Sequence, residues 1–335
     1  MIPAMSRAIP ATATLDEIRA ARERTLPHVH RTPLVRSDRL SNTAGGDVFL
    51  KLESLQVTSS FKARGALNAV LALRERHRPG DPLPRLVTAS AGNHGRALAW
   101  AAELAGFQVV VFTPREAPAA KLDAIRRHGA DLRAEADTYE DTEQLAKQFA
   151  AATGARFISA YSHPDLIAAI GVIGLEIVED LPQVDQIVVP VGGGGLIAGI
   201  AAAASLVRPD VEVVGVEVEA SRPFAASLSA GRIVEVEVGP TIADGLAGNM
   251  DPDNLAFPIV QALVRTMTMV SERELRDAIR DLVRYEHLVA EGAGVVGVAA
   301  VASGRVPSRG RTTAVVVSGA NIDIDKLAAI IGSAD

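Results

Sequence analysis

From Asp47 onward, short runs rich in β-branched residues alternate with longer alanine- and leucine-rich stretches of helical period, punctuated by glycine and proline. Few folds are open to such a chain. Strands that are apolar throughout need cover on both faces, and helices between them supply it, so parallel sheets flanked by helices result. DVFLKLE (Asp47 to Glu53) reads as a strand, and FKARGALNAVLALRE reads as a helix with Ala66, Leu67, Val70 and Leu71 on one face. The polar, proline-rich RHRPGDPLP, from Arg76 to Pro84, marks a lobe boundary. Beyond it, strands RLVTAS, FQVVVFTP, ADLRAE and ARFISAY are interleaved with helices RALAWAAELAG, APAAKLDAIRRHG and TYEDTEQLAKQFAAATG. Helix DLIAAIGVIGLEIVEDL follows, then strand DQIVVPV, helix LIAGIAAAASLV and strand VEVVGVEVE. Ser271 and Glu274 form a capping box that opens helix RELRDAIRDLVRYEH, and strand TTAVVVS runs into SGANIDID before a last helix. The expectation is an α/β protein of two parallel-sheet lobes. Residues 1–76 and 162–335 form the larger, and 77–161 form a smaller inserted domain.

Composition narrows the function classes. With 335 residues, 48% of them hydrophobic, the chain can bury the cores of two lobes. A net charge of −6 gives no basic surface for nucleic acid. The absence of cysteine removes thiolate catalysis, cysteine-ligated zinc and disulfides together. MIPAMSRAIPATATLDEIRAARE holds no apolar run long enough for a signal peptide or membrane anchor, so a cytoplasmic protein is expected. The seven histidines lack metal-ligand spacing such as HExxH, and no metal is assigned.

In parallel sheets, ligands gather in the loops that follow strands. Four such loops stand out: TSSFK, SAGNHG, VGGGGL and SGAN. In VGGGGL, Gly192, Gly193, Gly194 and Gly195 precede a helix, where backbone N–H groups and the helix dipole favour a phosphate. Gly193-x-Gly195-x-x-Ala198 with Glu217 beyond also fits a dinucleotide fingerprint loosely, which keeps a nicotinamide enzyme open. Lys62 is one of only five lysines and stands in the first turn of a helix, the positive end of its dipole. Partial desolvation there lowers an amine's pKa, and a neutral amine is what a Schiff base with a carbonyl cofactor needs. A snorkelling surface lysine is the plain alternative. Ser90, Asn93 and the free N–H groups beside them could hold a substrate carboxylate, with His94 next in the loop. Ser318 ends a strand, where its hydroxyl could meet a heterocycle nitrogen. Glu291 lies in the apolar, glycine-rich VAEGAGVVG.

Taken in order, RTPL, KLESLQVTSSFKARGA, TASAGNHG, VVPVGGGGLIAG, TIADGLAG, EGAGVVGVAA and SGANID resemble the fold-type II pyridoxal-phosphate enzymes, in particular the serine/threonine dehydratase and serine racemase branch. The resemblance runs from Arg31 to Asp323. It implies pyridoxal 5'-phosphate as cofactor, carried by the larger domain, and a homodimer. It gives Lys62 the Schiff base, Phe61 a place beside the ring and Asn93 the pyridine hydroxyl. Gly192 to Gly195 with the Leu196 amide would hold the phosphate, Glu291 would belong to the cofactor site, and Ser318 would face the ring nitrogen. Ser90, Asn93 and His94 become the substrate-carboxylate loop. A hydroxyl at the ring nitrogen makes a weaker electron sink than a carboxylate would, which suits β-elimination over transamination. The implied activity is loss of water, then ammonia, from L-threonine or L-serine to give a 2-oxo acid.

Racemisation needs a second acid/base, carried in racemases by a serine in SSGNH; here the position is Ala91. Other departures point to a different β-hydroxy amino acid, as in dehydratases of the hydroxyectoine pathway. Ser59 replaces a glycine, Arg96 replaces a glutamine, and Ile170 and Val172 replace polar residues expected near the cleft. Glu217 matches a cation site of some relatives, but Pro223 stands where a carboxylate is expected.

Overall fold

The computed structural model describes residues 13–332. Most of the N-terminal stretch read above as free of a leader, residues 1–12, lies outside them. In chain order, α1 (Leu15–Thr25), β1 (Leu34–Arg36), α2 (Asp38–Ala44), β2 (Asp47–Lys51) and α3 (Lys62–Arg76) come first. Then follow β3 (Leu86–Ala89), α4 (Asn93–Ala105), β4 (Val109–Pro114), α5 (Ala119–Arg126), β5 (Asp131–Ala136), α6 (Tyr139–Thr153) and β6 (Arg156–Phe157). The chain continues through α7 (Pro164–Asp180), β7 (Gln186–Pro190), α8 (Gly195–Val207), β8 (Glu212–Val218), α9 (Pro223–Ala230) and α10 (Ala256–Leu263). It ends with β9 (Thr266–Val270), α11 (Glu272–Asp281), α12 (Gly292–Ala302), β10 (Thr312–Val316) and α13 (Ile324–Gly332).

Two sheets form. The smaller has four strands in the order β5-β4-β3-β6, all parallel. The larger has six in the order β1-β2-β10-β7-β8-β9. It is parallel except at its edge, where β1 pairs with β2 antiparallel in the register Leu34↔Lys51. The helices that cover the larger sheet are apolar nearly all round because they are buried nearly all round. In α8 every residue from Gly195 to Ala204 is buried, and in α12 every residue from Gly292 to Val301. Helix α11 carries instead a polar face and opens with the expected box: Ser271 Oγ accepts from the Glu274 N–H, and the Glu274 carboxylate accepts from the Ser271 N–H.

The strand order positions the chemistry. Strands β2, β10 and β7 are neighbours, so the loops after them, holding Lys62, Ser318 and Gly192–Gly195, leave the sheet side by side. The loop after β3 brings Asn93 from the smaller sheet. Ile170 and Val172 do not face this opening, contrary to expectation. Ile170 lies in the core between α7 and α8, and Val172 packs with Ile18, Leu175 and Ala203. Their apolar character is explained by that packing.

Candidate active site

Lys62 begins α3, and its Nζ donates to the Ala160 carbonyl at 2.6 Å. Desolvation of the amine end pushes its pKa down from 10.5 to about 8, with the Glu291 charge opposing the shift. The Phe61 ring centroid lies 5.0 Å from Nζ. The Phe61 N–H donates to the Ser318 carbonyl at 3.1 Å, which ties the two loops together. Ser318 Oγ is buried and, among the described residues, has only a long contact to the Ala293 carbonyl, 3.4 Å.

Asn93 Nδ2 donates to Glu291 Oε1 at 2.5 Å, and Asn321 Nδ2 donates to Asn93 Oδ1 at 2.6 Å. Burial pushes the Glu291 carboxyl up to about 7, against the Asn93 hydrogen bond that favours its ionised form. Asn321 also donates to the Thr58 carbonyl and accepts from Arg96, at 3.0 and 2.6 Å. Ser59 is left-handed, with φ 59°, and its carbonyl accepts from the Ala320 N–H at 2.9 Å. Two of the departures noted in the sequence, Ser59 and Arg96, therefore meet beside Asn321.

The glycine loop is packed too closely against its neighbours to admit side chains. A Cβ on Gly193 would come within 2.3 Å of the Tyr161 ring, and one on Gly195 within 2.8 Å of the Tyr161 carbonyl oxygen. One on Gly194, which has φ +86°, would meet the Phe224 ring at 2.2 Å. Gly192 is confined more gently, by Gly245 and Leu246 at 3.1–3.2 Å. The loop runs into the N-terminus of α8, where the amides of Gly195 and Leu196 belong to the first turn and point away from the helix. Asn254 Nδ2 fixes the loop from behind through the Gly193 carbonyl at 3.0 Å.

Ser90 Oγ accepts from the Gly92 N–H at 3.2 Å, which folds the loop before α4. His94 is placed differently from its neighbours. It is buried, its Nε2 lies 3.2 Å from the Ile158 carbonyl, and burial pushes its pKa down to about 3. Glu217, read above against a cation site, instead accepts from the Phe224 and Ala225 N–H groups at the start of α9, both at 2.8 Å. Among the described residues no cluster of three acidic or histidine side chains could hold a metal.

Sequence reasoning missed Tyr161, Phe224, Asn254 and Asn321. Only Asn321 stood in a motif, the loop SGAN. Tyr161 follows a strand, one of three tyrosines in the chain, and nothing in its spacing points at the glycine loop.

Comparison with known proteins accounts for the arrangement. Residues 25–319 match the family model described as "Pyridoxal-phosphate dependent enzyme". The chain belongs to that family. An L-threonine ammonia-lyase of Thermotoga maritima is 43% identical over 95% of this chain and 78% of its own. The L-threonine dehydratase catabolic TdcB of Escherichia coli K12 is 36% identical, over 96% and 97% of the two chains. Among solved structures, maize serine racemase superposes with a TM-score of 0.87 at 33% identity, covering 94% of this chain and 96% of that one. The residues present suit the family's cofactor: a depressed amine, a cradle of glycines at a helix N-terminus, and a buried hydroxyl with one weak partner.

Proposed function

We propose that this pyridoxal-phosphate enzyme is a dehydratase that removes water and then ammonia from L-threonine or L-serine, leaving a 2-oxo acid. The observation that carries the reading is the Lys62 amine. It is held by one carbonyl, has a pKa near 8, and lies one residue from Phe61, whose backbone is tied to Ser318. In this reading Lys62 is the residue of attachment, and the amides of Gly192–Leu196 hold the phosphate. Asn93 and Glu291 orient the ring, and Ser318 faces its nitrogen. When bound, the cofactor withdraws electrons from the substrate's Cα–H bond. The neutral Lys62 amine then takes the α-proton, and the ammonium formed is stabilised by the Ala160 carbonyl and the Glu291 charge. Ser90 and the N–H groups before α4 orient the substrate carboxylate, and His94, neutral and buried, shapes the loop from behind. The domain limits 1–76 with 162–335, and 77–161, belong to the same reading, as do a homodimer and a cytoplasmic location. No described helix is long and apolar enough to cross a membrane.

The names of the Thermotoga maritima and Escherichia coli relatives support the substrate class. The structural match to maize serine racemase favours racemisation as a second reading. Ala91 weighs against it, because a methyl group moves no proton. Purified holoenzyme given L-threonine, L-serine and a panel of other β-hydroxy amino acids should release 2-oxo acid faster than it forms D-serine. Serine interconversion at a rival rate would favour the racemase. Protein that takes up no pyridoxal phosphate would remove both readings.

A further inference from the structure

The start of α3 is a poor place for a helix to begin. Ser59 is left-handed at φ 59°, and Phe61 occupies the N-cap with helical backbone and no side-chain cap. The first turn has no acidic residue and carries Lys62 where the dipole disfavours a cation. Short-range bonds tighten it, from Ala63 N–H to Ser60 O at 3.3 Å and from Arg64 N–H to Phe61 O at 3.1 Å. These do not fix its direction.

Arg64 does. Its side chain is 2% exposed, and all three guanidinium nitrogens donate. Nε and Nη2 donate to the two oxygens of Glu53, and Nη1 and Nη2 donate to the two oxygens of Glu176, each at 2.9 Å. Nη2 also reaches the His30 carbonyl at 3.1 Å. Lys51 completes the set, donating to Glu176 at 2.6 Å and to the Thr32 carbonyl at 2.7 Å. Thr32 Oγ1 donates to Glu53 at 2.5 Å. Burial alone would raise the Glu53 carboxyl, but the charge and bonds of Arg64 hold it below the usual range. Two cations and two anions thus lie in the core between β2, α3 and α7. Well-packed apolar residues of similar volume often give as much stability as a buried ion pair. What a planar fork adds is direction, which a lysine cannot supply.

We propose that Arg64 is a positioning residue for the Lys62 amine: by clamping the first turn of α3 to Glu53 and Glu176 it fixes where Nζ enters the site. The inference rests on Lys62 being the residue of cofactor attachment. The charged or titratable groups that act on Nζ are Glu291 and the buried His94.

The test uses the full chain stripped of cofactor and mixed with pyridoxal phosphate. The visible band is followed from pH 6 to 10, and the adduct is fixed with borohydride and located by peptide mass. In the wild type, attachment should fall on Lys62 and quicken with a midpoint about pH 8. Arg64→Lys should attach at least 10-fold more slowly at pH 7.5, with its midpoint raised by half a unit or more as the loosened amine meets water. Thr32→Val, which weakens the cluster without touching α3, should melt lower but keep the wild-type midpoint. If Arg64→Lys does not fold, Glu176→Gln should shift the midpoint in the same direction. A folded Arg64→Lys or Glu176→Gln protein with wild-type rate and midpoint overturns the proposal, as does an equal shift in Thr32→Val. A wild type labelled at another lysine, or unlabelled, overturns the proposed function as well.

Discussion

Replacing Lys62 by methionine should make the cofactor-free protein more stable near neutral pH, although it abolishes attachment. In the folded chain the amine's pKa falls from 10.5 to about 8, so below pH 8 folding must hold a proton where the site disfavours it. Each unit is worth about 1.4 kcal/mol, so the shift corresponds to about 3 kcal/mol of destabilisation at pH 7. Lys62 keeps some exposure to the cleft, and solvent screening reduces that figure. Methionine also leaves the Ala160 carbonyl without its donor, a loss of about 1 kcal/mol. A net gain of about 1–2 kcal/mol follows, or about 1–3 °C in melting temperature for a chain of 335 residues. The sign depends on pH in a defined window. Between about 8 and 10.5 the unfolded chain binds more protons than the folded one, so wild-type stability rises with pH there. The variant's advantage should therefore be full below pH 8 and gone by pH 10.5, read by thermal melts across that range. A Lys62→Met protein less stable at every pH, or an advantage that does not shrink on alkalinisation, would refute a desolvated amine.

Gly194→Ala adds a methyl group 2.2 Å from the Phe224 ring at a φ of +86°, and should weaken pyridoxal phosphate binding at least ~10-fold in a direct titration while far-ultraviolet dichroism is kept. Undiminished affinity would detach the glycine loop from the phosphate. Glu217, pushed up to about 7 by burial, binds more protons folded than unfolded between about 4.5 and 7, so stability should fall as pH rises through that window. Glu217→Gln should flatten the fall in a pH series of melts. Ser59→Gly relieves about 1 kcal/mol of left-handed strain but adds a similar unfolded-state entropy, so denaturant melts should move by less than ~0.5 kcal/mol. A larger change would show that the serine side chain makes a contact of its own. Ala91→Ser should introduce D-serine formation from L-serine, measured by chiral chromatography, and none would dissociate that position from racemisation.

The alternation of strands and helices was legible mainly because central strands such as β3 and β7 are buried on both faces and read as apolar runs. Strand β9, whose residues Thr266–Met269 are half-buried, carries no such run and went unread, as did the three-residue edge strand β1. The site loops were legible because glycine clusters and helix-leading lysines are local signals. Tyr161, which closes the glycine cradle, is brought there by the chain's return from the smaller sheet, and Ile170 and Val172 looked like cleft residues until α7 was seen to turn them into the core. Those placements depend on how helices face one another, which no nearby residue records.

The buried fork of Arg64 also sets an order of events during synthesis. Its partner Glu176 lies 112 positions further along the chain, and the whole smaller sheet is encoded in between. At about 5–20 residues per second, Arg64 and Lys51 wait several seconds for Glu176, the carboxylate they share, to be synthesised. The contacts of the smaller sheet are more local, so it can form during that interval. The clamp on the lysine-bearing turn can therefore be completed only after the sequence of the smaller sheet has been made.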